Sequence, residues 1–563
     1  MVGRVSQFTI SPAGLEAILG KTFARLEQFH FPTALEDRDT AIWGADEALR
    51  TKIANRLGWV EAIDFARAQL PRLLATAASV RRDGFTDVVL LGMGGSSLAP
   101  EVLRQCIGGA PGYPRFRMLD SVDPDAVRDA MSMAATSLFI FASKSGGTIE
   151  PNAMASEAQQ RLQIEGFDDW GSRFIAITDE GTALHTLAQQ ERFREIFLNP
   201  SNIGGRYSAL SLFGMVPAAL MGLDIEALLT RASDMEELCF MPDVHTNPGT
   251  ALGALMAAGA EAGRDKLTLV VPPRLASFGL WVEQLVAEST GKEGKGIVPI
   301  TGERTDAPLA DDRIAVFVHL PGDPADGALR DRLRAAGTPM MDIELTDVLS
   351  LGAEFFRWEV ATAAAGRLLD INPFDEPNVQ QAKDATRKLL ETYVEEEHLP
   401  TPEPHLSIDG IRFTQSHAAQ KHLEGLSPAH FLDAVAPRDY VGLLAYLPPQ
   451  DPALEEALVT LRAKLGARGG CATMLGYGPR YLHSTGQLHK GGANNGVFVI
   501  VTAPAAEDLA IPGEPYSFGT LELAQALGDF HSLDRTGRRA LLVQLPWRDP
   551  AILQRAFEIL LNP

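Results

Sequence analysis

The sequence predicts an α/β protein of several domains built on parallel sheets. Three observations carry that reading. The chain has 563 residues, more than a single hydrophobic core holds. Short apolar runs, at 87–91, 138–142, 174–178 and 267–271, are mostly followed by turns rich in glycine, serine or proline. Segments with helical apolar spacing follow such turns, so strands alternate with helices, as in doubly wound sheets.

Composition narrows the function. A hydrophobic content of 45% is that of an ordinary globular protein. The net charge of −22 argues against nucleic acid as a partner. It leaves room for a small anionic substrate, since one site can be cationic in an acidic protein. The three cysteines, Cys106, Cys239 and Cys471, are far apart, which suits a reducing cytoplasm and offers no zinc spacing. The N-terminus does not read as a signal peptide. The longest apolar stretch, 209–223, is interrupted by Ser211, Gly214 and Pro217. It is too short to span a bilayer and predicts a buried helix, so no membrane association is expected.

Taken in order, residues 1–55 read as a helical arm, with Leu15, Ile18, Leu19, Leu26 and Phe29 near one face. The run 87–91 leads into GMGGSSLAP at 92–100. Glycines directly after a strand and before a helix let backbone N–H groups approach an anion. The spacing is not GxGxxG, so no dinucleotide is implied. The run 138–142 leads into SKSGGTIEP at 143–151. Ser143, Ser145 and Thr148 supply hydroxyls there, Lys144 a cation, and Gly146 and Gly147 open N–H groups. Those are the parts of a phosphate cradle without the spacing of a nucleotide loop. In NIGGRYSALSLFG at 202–214, Arg206 follows two glycines and precedes the apolar helix, where a guanidinium can offset developing negative charge.

The stretch FGLWVEQLVAESTGK at 278–292 follows the run 267–271. Gln284 and Glu288 stand four apart and share a helical face, and Gly291 is placed to end the helix. Carboxyl ends of buried strands are where α/β folds hold ligands. Beyond the acidic VEEEH and the proline-rich LPTPEPH, residues 401–563 read as a third α/β portion. Strands are expected at 440–447, 497–501 and 540–545, and helices at 453–465 and 521–533.

GMGGSS, SKSGGT, GGRYS and EQLVAESTGK occur here in the order and context of the phosphoglucose isomerases, which the chain resembles over roughly residues 40–395. NPFDEPNVQQAK and QLHKGGANNG resemble the isomerase half of fused transaldolase–phosphoglucose isomerases. The resemblance implies two sugar-isomerase (SIS) domains, at 56–235 and 236–400, followed by a C-terminal portion at 401–563 that contributes to the active site. It implies aldose–ketose isomerisation of glucose 6-phosphate and fructose 6-phosphate through an enediolate. No metal or organic cofactor is implied, and a homodimer is left open.

The same resemblance assigns roles. Gly95 and Ser96 match sugar contacts, residues 143–148 the phosphate loop, Arg206 the arginine beside the enediolate, and Gln284 a substrate-binding amide. Glu288 matches the base that moves a proton between C2 and C1, Lys383 a catalytic lysine, and His489 the ring-opening histidine, with His483 nearby as a rival. The chemistry agrees. One tuned carboxylate can shuttle the proton, a fixed cation stabilises the enediolate, and phosphate binding positions the sugar. A non-catalytic sugar-phosphate sensor would not need Glu288, Arg206 and Lys383 together. A pocket set mainly by phosphate would leave room for mannose 6-phosphate. Two features depart from the family pattern: Glu376 stands where glutamine is usual, and the lysine signature precedes the histidine loop.

Overall fold

The computed structural model describes residues 6–44, 46–323 and 326–563, and in them the chain forms three sheets. The first strand, β1 (Ser6–Ser11), lies in the arm for which only helix was expected. β2 (Asp87–Leu91), β3 (Arg115–Leu119), β4 (Ser137–Ala142), β5 (Phe174–Asp179) and β6 (Glu195–Asn199) make the first sheet, all parallel, in the order β3-β2-β4-β5-β6. The second sheet holds β7 (Lys266–Val270), β8 (Val298–Ile300), β9 (Arg313–His319) and β10 (Met340–Leu345) in parallel, with β1 antiparallel on its β10 edge. The third contains β11 (Leu406–Ile408), β12 (Ile411–Gln415), β13 (Tyr440–Tyr446), β14 (Ala472–Tyr477), β15 (Gly496–Thr502) and β16 (Arg539–Gln544).

The three sheets share one winding. Each parallel set places its second strand outside the first and its third and fourth on the other side: β3-β2-β4-β5, β8-β7-β9-β10 and β14-β13-β15-β16. In the second and third sheets antiparallel strands from earlier in the chain lie beyond the fourth strand, β1 on β10 and β12 on β16, with β11 outermost in the third. The third α/β portion therefore repeats the plan of the second.

Strand alternation places the first sheet between two cores. Val88, Leu90, Leu138, Ile140, Ile175 and Ile177 join the core shared with the second sheet. Their neighbours Val89, Leu91, Phe139, Phe141, Phe174 and Ala176 join the core shared with the third. Successive side chains point to opposite faces, so a strand covered on both sides reads as one continuous apolar run.

Polar clamps fix the third sheet on the other two. Asn495 Nδ2 donates to Asp265 Oδ2 (2.8 Å), and buried Lys266 donates to the Arg438 carbonyl. Arg548 bridges Asp123 (2.5 Å), Asp125 (2.7 Å) and Glu522 (3.2 Å), and Arg480 lies 2.9 Å from Asp120. These clamps aim the loops of the third sheet at the first.

The helix Ala276–Thr290 runs through the centre, buried on nearly every side. Trp281 packs on Phe355 with ring centroids 4.8 Å apart. Gly291 caps the helix, at φ −78°, so no left-handed turn requires glycine there. The requirement is close approach: a Cβ at Gly291 would come within 2.3 Å of Leu488 Cα.

Candidate active site

The site is assembled around Glu288, buried in the carboxyl-terminal half of the helix Ala276–Thr290. Glu288 Oε1 lies 3.3 Å from Arg206 Nη1, and Oε2 accepts from Gln284 Nε2 at 3.3 Å. Gln284 also donates to the His483 carbonyl (2.8 Å). Burial pushes the Glu288 carboxyl above the ordinary range; Arg206 opposes the shift, and the negative charge of Glu376 reinforces it. A carboxyl raised above its ordinary range, yet held beside a guanidinium, suits a general base.

Arg206 is buried and held rigidly. Nε donates to Ser289 Oγ (2.7 Å), and Nη2 donates to the carbonyls of Pro373 (2.8 Å) and Asp375 (3.0 Å). Its Nη1 also donates to Glu376 Oε2 (3.0 Å). The glutamate in the lysine signature therefore bears on Arg206 and Glu288. Lys292, which the sequence reading left without a role, anchors the same segment. Its Nζ donates to Asn372 O (2.7 Å) and Asp375 Oδ1 (2.8 Å), and burial, with Arg206 nearby, lowers its pKa to about 8.

The loop 143–148 precedes the helix Ile149–Ile164. Gly146 N donates to Ser143 Oγ (3.1 Å) and Gly147 N to Ser145 Oγ (3.3 Å), while Thr148 is the N-cap. Asn152 Nδ2 braces the loop through Thr148 O (2.7 Å). Lys144 does not supply the cradle's free cation: its Nζ is taken up by Asp179 Oδ2 (2.5 Å) and Ser201 O (2.7 Å). Gly95 packs against Gly205 of the arginine turn, and Ser208 Oγ donates to Gly95 O (3.2 Å). Gly94 faces the reacting groups, since a Cβ there would come within 2.7 Å of His483 O and 3.0 Å of Gln284 Nε2. Ser96 is buried in the same turn.

The imidazole that lines the cavity beside this loop is that of His483, not His489. His483 Nε2 lies 2.8 Å from Oε1 of buried Glu150, the second residue of the helix that follows the 143–148 loop. Burial would raise the Glu150 carboxyl, but His483, a backbone N–H and the charge of Lys383 outweigh it and hold the pKa below the ordinary value. Lys383, exposed on the helix Val379–Glu396, lines a cavity of about 640 Å³ with Gly147, Thr148, Glu150 and His483. His489 is 1% exposed and does not line that cavity. Its ring packs 4.8 Å from Phe498 and 5.9 Å from Tyr481, and burial holds its pKa well below the ordinary value. The helix Gly486–Gly491 turns the His489 side chain into the core rather than toward that cavity.

The loop that carries His483 is braced by a buried network. Lys490 Nζ lies 2.5 Å from Asp529 Oδ1, and Tyr481 donates to Asp529 Oδ2 (2.7 Å). Removing one partner of such a pair costs about 3–5 kcal/mol, so the loop is held firmly. Glu150 had been visible only as an acid in a helix first turn, where carboxylates are common. Among the described residues no group of three or more histidine, cysteine, aspartate or glutamate side chains could hold a metal ion.

Comparison with known proteins places the chain among sugar-phosphate isomerases. The family model for phosphoglucose isomerase matches residues 77–305. A glucose-6-phosphate isomerase of Synechococcus sp. is 31% identical over 386 residues, 61% of this chain and 71% of the relative. One from Prochlorococcus marinus is 29% identical over 381 residues, covering 60% and 71%. A crystal structure of a glucose-6-phosphate isomerase from Chlamydia trachomatis superposes with a TM-score of 0.53 at 20% identity, covering 69% of this chain and 89% of that one. A hypothetical protein from Thermus thermophilus gives 0.56 at 24% identity, covering 68% and 99%. At these identities the two structures speak to the fold alone.

Proposed function

The chain belongs to the phosphoglucose isomerase family and acts as a glucose-6-phosphate isomerase, and we propose that Glu288 is its base. The observation that carries the assignment is the setting of Glu288: buried, flanked by Arg206 and Gln284, and close to the His483–Glu150 pair.

The substrate phosphate sits on the N–H groups and hydroxyls of 143–148, and its binding energy orients the sugar. His483, oriented by Glu150 and accompanied by Lys383, opens the ring by moving protons at the ring oxygen and O1. Glu288 takes the proton from C2, Arg206 stabilises the negative charge of the enediolate, and Glu288 returns the proton to C1. Gln284 holds a sugar hydroxyl and orients the carboxylate. Proton transfer needs no redox partner, because the oxidation at C2 and the reduction at C1 balance within one molecule.

The reaction joins glycolysis and gluconeogenesis. Three buried free thiols suit a reducing cytoplasm, where we place the enzyme, and no helix of the described residues is long and apolar enough to cross a membrane. The purified chain is tested on fructose 6-phosphate, with glucose 6-phosphate read by a coupled dehydrogenase and loss of hydrogen label from C1 to water followed in parallel. Absence of both signals from folded protein overturns the reading.

A further inference from the structure

The helix that carries Gln284 and Glu288 has a second face on open space. Ser277, Leu280 and Glu283 lie on that side and line a cleft of about 1040 Å³, larger than the cavity at Lys383 and His483. The cleft lies where the carboxyl ends of β3, β7 and β8 converge, and the third sheet closes it with Arg462, Tyr477 and Arg480. Open α/β sheets bind ligands outside the carboxyl ends of their strands.

Two buried groups there have polar atoms to spare. Arg462, 7% exposed, donates from Nε to Thr473 Oγ1 (3.1 Å) and from Nη2 to Thr301 O (2.7 Å) and Thr473 O. None of these acceptors is a carboxylate, and Nη1 takes no part. Glu283, 8% exposed, accepts from Thr301 Oγ1 at Oε1 (2.6 Å), and its Oε2 has no hydrogen-bond partner among the described residues. Burial raises the Glu283 pKa to about 7, against the Thr301 bond and the Arg462 charge. Of the other acids along the walls, Asp120 is engaged by Arg480 (2.9 Å), Glu303 by Arg313 (2.6 Å), Glu101 by Arg104 (2.7 Å) and Asp129 by Arg117 (3.4 Å), while Asp326 caps a helix and Glu455 is exposed. A buried guanidinium that donates only to neutral oxygens, with Glu303 and Glu283 near enough to favour its charge against burial, has Nη1 left for an oxyanion, and a nearby carboxyl and hydroxyl ask for sugar-like hydroxyls. Arg304 at the mouth holds Asp306 only through a solvent-facing pair, which is weak enough to share.

We propose that this cleft is a second ligand site, for a small phosphorylated polyol, with phosphate on Arg462 and hydroxyls on Glu283 and Thr301. Its occupant touches the helix that presents Gln284 and Glu288, so binding there bears on the reaction from behind.

Glycerol 3-phosphate and inorganic phosphate, titrated calorimetrically into the full chain, test the proposal. The parent should bind two equivalents of glycerol 3-phosphate. A Ser143→Ala, Thr148→Ala double variant should keep the cleft equivalent, and Arg462→Met should weaken that equivalent at least tenfold. Should Arg462→Met unfold, Glu283→Gln serves instead: it should weaken glycerol 3-phosphate in the cleft severalfold and leave inorganic phosphate unchanged. Binding that the Ser143→Ala, Thr148→Ala pair abolishes and the cleft substitutions leave unchanged, or a second equivalent indifferent to the cleft substitutions, overturns the proposal. Neither result alters the isomerase assay, so the two readings fail separately.

Discussion

His483 Nε2 lies 2.8 Å from Glu150 Oε1, although the two residues stand 333 positions apart. Glu150 opens the helix behind the phosphate loop of the first sheet, and His483 comes from the loop after β14 of the third. Gln525 Nε2 donates to the same carboxylate oxygen at 2.6 Å, so Glu150 is fixed before the imidazole reaches it. A carboxylate that orients a histidine beside a sugar cleft makes the imidazole a directed acid and base.

His483→Ala should therefore lower kcat by about 10²-fold, the lower range for loss of a general acid–base group. His489→Phe keeps an aromatic ring between Tyr481 and Phe498 and should hold kcat within about threefold. Steady-state assays on both variants decide, and the opposite ranking would return the role to His489.

Glu288→Gln preserves size and one of the two acceptor oxygens but cannot accept the C2 proton. A fall in kcat of about 10³-fold, within the usual range for a general base, is expected with KM little changed. Near-parental turnover in this variant ends the assignment.

The pH profile tests Glu376. Burial and the Glu376 charge both raise the Glu288 pKa above its ordinary value, while Arg206 lowers it. The base form of Glu288 grows as pH rises through that raised value, so activity falls on the acid side as Glu288 takes up a proton. Glu376→Gln removes one raising cause and frees Arg206 for Glu288 alone. The acid limb of kcat/KM should move to lower pH. A limb that stays in place, or moves up, contradicts the coupling seen through Arg206.

Ser143→Ala and Thr148→Ala should each raise KM for fructose 6-phosphate several-fold and lower kcat less. Phosphate binding acts mainly on ground-state affinity, although part of such remote binding energy reaches kcat. Unchanged affinity in both variants would place the phosphate elsewhere.

Every group assigned to the reaction belongs to one chain. Specific activity per chain should therefore stay constant, within about twofold, on dilution from micromolar to nanomolar protein, because linked association would otherwise make it depend on concentration. Stopped-flow and conventional assays across that range make the measurement. Activity that vanishes on dilution while the chain stays folded would show that a partner is required.

Much of the site was written locally. Loops 92–100 and 143–151 are recognisable because small and hydroxylated residues follow apolar runs. Gln284 and Glu288 pair through helical spacing alone, and the first sheet's strands read as continuous apolar runs because both of its faces are covered. Those features depend on neighbours a few residues apart, which periodicity reports directly.

The rest required the three sheets to dock. His483 and His489 lie six residues apart in one stretch, and sequence alone gives each a plausible claim. Packing of Leu488 on Gly291 fixes the intervening turn, which sends His489 into the aromatic core and leaves His483 at Glu150. Lys144 looked like a free cation until Asp179, at the end of the neighbouring strand, was brought within 2.5 Å of it. Glu376 acts on Arg206 because Lys292 ties down residues 372–375, a contact spanning 80 or more positions. β1 is not legible in the sequence because an edge strand exposed on one side carries little apolar signal, and only pairing with β10 gives it its place. Local sequence determined which residue types the cleft has at its disposal. Tertiary docking decided which of them face the sugar, because that depends on distances between segments hundreds of residues apart.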